Sequence, residues 1–79
     1  MKILAVYDKP ECADRYTIIL DDTQRGKFHT CLSVDDRPSH PQGFSQFGEC
    51  IWGDHLGKQI EFSDLPEEVQ KHVMWRIEE

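Results

Sequence analysis

Long apolar runs are missing from this 79-residue chain. The N-terminal one, residues 3–7, is five residues long and ends at Asp8, whereas a membrane-crossing helix needs about 18 and the apolar part of a secretory signal about 7–15. Both are therefore excluded, and the expectation is a cytoplasmic protein with reduced thiols. Paired cysteines are missing too: Cys12, Cys31 and Cys50 are odd in number and far apart, which excludes a complete disulfide framework and the close C-x2-C pairs of zinc modules. No repeat and no glycine-rich phosphate loop is present. Basic residues are scarce. Nine Lys and Arg face fifteen Asp and Glu, a formal charge of −6, which disfavours direct binding to the nucleic-acid backbone. What is present suffices for folding: 38% of residues are hydrophobic and 10% aromatic, above the range of disordered chains.

The length predicts one domain covering residues 1–79, with a thin core. Residues 2–7 read as a buried strand and 15–20, rich in Tyr, Thr and Ile, as a second. Residues 21–26 read as a turn. Residues 27–34 alternate, with Phe28, Thr30, Leu32 and Val34 on one face and His29, Cys31 and Ser33 on the other, so a hairpin with the second strand is expected. Residues 35–57 contain two Pro and four Gly without periodicity and read as a long loop. Residues 58–62 alternate again. Leu65, Val69, Val73 and Ile77 recur at every fourth position, which predicts a helix over about 65–77. Asp64 and Glu67 have capping-box spacing, and Pro66 is acceptable in the first turn. The expected fold is α+β, a small antiparallel sheet of three to four strands with one C-terminal helix packed on a face, Val69, Val73, Ile77 and Met74 or Trp75 covering the sheet.

Two concentrations of residues stand out as a binding site. Phe44, Phe47 and Trp52 in the long loop are of the type that anchors interfaces. Residues 61–79 hold six acids, among them Glu61, Asp64, Glu67 and Glu68, against Lys71 and Arg76, so about two-thirds of the net charge lies on or just before the helix. Such a surface attracts a basic protein. Two other classes stay open: a small metal site built on His29, Cys31, Cys50 and His55, and an enzyme with a Cys nucleophile beside His29 or His55. No catalytic residue and no cofactor is assigned. A short, open sheet edge or the helix face leaves monomer and homodimer equally open.

Five short motifs, Asp14-Arg15-Tyr16-Thr17, His40-Pro41-Gln42-Gly43, Gly48-Glu49, Leu56-Gly57-Lys58 with Ile60, and Asp64-Leu65-Pro66, resemble in order the pattern of a family of small proteins from bacteria, phages and plasmids that carries no assigned activity. The resemblance spans roughly residues 5–73. It implies a mobile-element setting, and with it a non-enzymatic protein that binds a host protein, such as an inhibitor of a host defence complex of the CRISPR type, its carboxylates imitating the charge of DNA.

Overall fold

The computed structural model of the chain describes residues 2–12, 15–25, 28–36 and 45–78. The elements are β1 (Ile3–Asp8), β2 (Tyr16–Arg25), β3 (Phe28–Val34), β4 (Ser45–Ile51), a 3-10 turn (Asp54–Leu56), β5 (Lys58–Ile60), a second 3-10 turn (Phe62–Asp64) and α1 (Glu67–Glu78). The strands form one antiparallel sheet in the order β4-β3-β2-β1-β5. The α+β class and the C-terminal helix match expectation. The sheet has five strands rather than three or four, because residues 45–51, read from sequence as loop, are a strand. β4 lies at an edge, and most of its side chains are exposed. An edge strand held by main-chain bonds to one neighbour needs no buried face, so its sequence carries little apolar alternation. The expected turn at 21–26 also differs, since β2 runs on to Arg25. The register with β3 slips between Ile19 and Gln24, which lets four residues of β2 oppose Thr30 alone, a large bulge that bends the hairpin.

Alternation divides the sheet into two faces. Val6, Tyr16, Ile18, Leu20, Leu32 and Val34 point to one side, where Leu65, Val69 and Val73 close over them, with Ile77 partly buried at the margin. This is the main core. Each fully buried Val, Leu or Ile contributes about 1.5–3 kcal/mol relative to exposure. α1 begins at Glu67, and its Val69–Val73–Ile77 stripe is the predicted one. Leu65 is buried ahead of the helix, at the end of the second 3-10 turn. The capping box closes three residues earlier than the spacing of Asp64 and Glu67 suggests, on the second 3-10 turn. The Glu61 N–H donates to Asp64 Oδ2 at 3.0 Å, and the Asp64 N–H is capped by the Glu61 side chain.

The opposite face carries a smaller cluster of Ala5, Tyr7, Ile19 and Cys31, with Cys50 and Leu56 packed against it. Its cover follows from topology. β4 and β5 sit at opposite edges, so residues 52–57 must cross the sheet. Four inter-strand steps are about 19 Å, and the seven steps from Ile51 to Lys58 reach at most about 25 Å. The connection is therefore a nearly taut strap. The Trp52 indole N–H donates to the Tyr7 hydroxyl at 2.6 Å, Lys9 Nζ donates to the His55 carbonyl at 3.2 Å, and Leu56 fills the cluster. At its end Gly57 has φ of 114°, and a Cβ there would lie 2.5 Å from the Asp8 carbonyl oxygen. Only glycine fits this close approach.

Candidate binding surface

The two aromatic anchors predicted from sequence and described by the structure fall on different faces. Phe47 lies opposite Leu32 in the β3–β4 register, hence on the helix side, where the Arg76 guanidinium stacks over its ring at 4.8 Å. Trp52 lies on the strap side, with its indole edge-on to His29 at 5.4 Å and bonded to Tyr7. Both are about two-fifths exposed, but they make no common patch. Phe44 lies outside the described residues, as do Asp14 and residues 40–43 of the motif series. Several of the motif residues that are described hold the fold. Arg15 makes a two-pronged pair with Asp8, Nε to Oδ1 at 2.7 Å and Nη2 to Oδ2 at 3.1 Å, which raises its pKa further above the ordinary range. Tyr16 and Leu65 are buried, and Gly57 is required by its backbone.

The predicted acidic residues divide in a similar way. Glu61 and Asp64 hold each other's backbone at the second 3-10 turn, so their placement serves that turn. Glu67 and Glu68 occupy the first turn of α1, where the helix dipole favours negative charge. Glu67 reaches Lys71 at 3.2 Å in an exposed i,i+4 pair, worth about 0.3–0.5 kcal/mol. Glu67 and Glu68 also line an open groove of about 660 Å³ with Lys71, His72 and Trp75.

Trp75 is the residue that the sequence reading misplaced. The expected fold places it, with Met74 as the alternative, over the sheet. Instead Trp75 is 57% exposed and Met74 39%. The helical wheel explains this: at 100° per residue, Trp75 points about 200° away from Val73. Trp75 stands on the outer crest of α1, its ring 5.5 Å from that of His72.

His72 faces β4 and shares a 2.7 Å hydrogen bond between its Nε2 and Ser45 Oγ. Burial chiefly, and Arg76 secondarily, push its pKa below the ordinary value, against the opposing pull of Asp35 and Glu68. A neutral ring at neutral pH suits this bond, because neutral Nε2 and a hydroxyl can exchange donor and acceptor roles. The pair has the separation of a nucleophile and its base. In place, it ties the edge strand to the helix, as does Arg76 over Phe47. One helical turn from His72 to Arg76, about 6 Å, matches the two-residue step from Ser45 to Phe47, about 6.7 Å. So α1 and β4 run side by side in the same direction.

The residues considered for metal are only partly gathered. His29 and Cys50 are register partners, and Cys31 follows two residues along the same face, while His55 sits in the strap. Among the described residues no group of three or more His, Cys, Asp or Glu is arranged to hold a metal ion. His29 Nδ1 is buried without a hydrogen-bond partner among the described residues, its ring against Trp52. Cys12, Cys31 and Cys50 form no disulfide; Cys31 is buried, and Cys12 and Cys50 are partly exposed. Among the described residues no helix is long and apolar enough to cross a membrane. Compared with known protein families, curated proteins and solved structures, the chain matches none.

Proposed function

We propose that the chain is a non-enzymatic protein-binding module whose docking surface is the outer side of α1. One observation carries this reading: Trp75 stands more than half exposed beside a groove bordered by Glu67 and Glu68. Although its ring lies beside that of His72, more than half of Trp75 is open to solvent, and with the carboxylates of the groove it combines the residue type most often found as an interface anchor with an electrostatic preference for a basic partner. The two carboxylates steer the encounter, and the indole supplies the buried contact. Lys71 and His72 in the same groove make it selective for orientation, since a uniformly basic partner surface meets both signs there. The resemblance to phage and plasmid proteins supports the finer reading, a host-defence inhibitor of the anti-CRISPR kind whose carboxylates stand in for DNA phosphates.

Affinity capture from bacterial lysate with the wild type, Trp75→Ala and Glu67→Gln/Glu68→Gln tests the reading. A specific protein held at low salt, released at high salt and lost with Trp75→Ala at unchanged melting temperature is the expected result; truncating an anchor costs about 2 kcal/mol or more, roughly 30-fold. No specific partner at either salt concentration, or capture indifferent to Trp75, sinks it.

A further inference from the structure

The sheet's two edges are guarded unequally. β5 is three residues long, begins with Lys58 and lies between two 3-10 turns. Shortness and an edge lysine are the usual defences against strand-to-strand association. β4 has neither. It runs seven residues, Ser45–Ile51, contains no Lys, Arg or Pro, and pairs with β3 in unbroken register from Val34↔Ser45 to Phe28↔Ile51. Among the described residues β3 is its only strand neighbour, so every second N–H and C=O points outward.

We infer that β4 is the seat of a two-fold homodimer in which β4 of one copy pairs antiparallel with β4 of another. A two-fold axis normal to the sheet keeps each face on its own side, so only residues of equal parity can lie opposite one another. Centring the axis on Glu49 sets two carboxylates directly opposite, which is unfavourable. Centring it on Gly48 sets Gly48 against its counterpart and Phe47 against the partner's Glu49. Arg76, stacked over Phe47 with its Nε buried and lacking a hydrogen-bond partner among the described residues, then stands beside a carboxylate of the partner. This is charge complementarity between two identical surfaces. Glycine within a strand weakens it unless another backbone comes close. At Gly48 an added Cβ would meet nothing within 4 Å, so no contact among the described residues requires the glycine.

The helices agree with this geometry. α1 lies over β3, and three inter-strand steps separate β3 from the partner's β3, about 14 Å. Directly packed helices lie about 8–10 Å apart, so the two helices leave a gap floored by the paired strands, which Phe47 and Arg76 of both copies fill. Trp75, on the crest, remains outside. The inference therefore stands independently of the binding reading.

Sedimentation of the full chain across about 10–500 µM tests it. The expected result is a concentration-dependent rise toward twice the chain mass. Gly48→Lys, which sets two like charges across the axis, shifts the midpoint upward at least tenfold without changing the circular dichroism spectrum. Gly48→Cys in a Cys12→Ser/Cys31→Ala/Cys50→Ser background, which also removes the thiol directly across from residue 48 on β3, forms a covalent dimer on mild oxidation, because opposed Cα atoms in an antiparallel pair lie about 4.5–5.5 Å apart, within disulfide range. Gln59→Cys on the β5 edge does not. A wild type that stays monomeric at 500 µM overturns the inference and leaves the binding reading untouched. A dimer that persists in Gly48→Lys, or that resists crosslinking at 48, overturns it as well, by moving the contact to another surface or register.

Discussion

The two faces of the sheet are closed by different means. On one, a helix lays a repeating stripe of Val69, Val73 and Ile77 over Leu32, Ile18 and their neighbours. On the other, residues 52–57 cross from edge to edge, held by a few particular contacts: Trp52 on Tyr7, Lys9 on the His55 carbonyl, and Gly57 against Asp8. The first cover is redundant, since several apolar residues share it. The second depends on single points and carries little buried area, so it should be the part that opens first under native conditions.

Three measurements sharpen or break this contrast. Leu32→Ala on the helix side should lower unfolding free energy by about 2–5 kcal/mol, measured by urea titration. In so small a domain that approaches the whole stability. Trp52→Phe on the strap side keeps most of the ring but leaves the buried Tyr7 hydroxyl without its donor, a loss of about 1–3 kcal/mol. Hydrogen exchange should report faster exchange in 52–57 and unchanged protection in α1. Equal effects on both regions would show that the strap and helix faces unfold together. The smallest effect is pH-dependent and belongs to the helix side alone. His72 is depressed below 6.5 in the folded state, so between that depressed value and 6.5 the unfolded chain holds a proton that the folded chain does not. Stability therefore falls as pH drops through 6.5, and it stops falling below the folded value. Ser45 and Trp75 contact the His72 ring, and Arg76, Asp35 and Glu68 are the charges that act on it. Melting curves from pH 7.5 to 5 should show this component removed in His72→Gln.

The same contrast explains what could be read from sequence. Helix and hairpin declare themselves by period: four-residue spacing in 65–77, alternation in 28–34. The helix-side core was legible because both of its layers are periodic. The strap is not, because its contacts pair residues more than forty positions apart, as Trp52 with Tyr7. β4 escaped because an edge strand is free of the demand for a buried face. Its partners on α1, His72 and Arg76, were consequently unreadable as a group. Of the predicted binding residues, Glu67 and Glu68 do border the groove, while Glu61 and Asp64 cap a turn. Phe47 and Trp52 separate because loop neighbours in sequence lie on opposite sides of a strand in space. Trp75 was within reach, since the spacing that buries Val73 also turns Trp75 outward.

Strand order has a bearing on how the chain folds as it is made. β1, made before the other four strands of the sheet, ends up inside it between β2 and β5. Its pairing with β2 can form early, across a short connection. Its other side stays unpaired until residues 58–60 arrive, after the chain has travelled the whole meander and doubled back. During that interval β1 presents an open apolar edge, and the nascent chain is most exposed to wrong pairing with its neighbours. The last third of the sequence thus acts as a seal on the first, and truncations that stop before Lys58 should accumulate as aggregates rather than as a smaller folded unit.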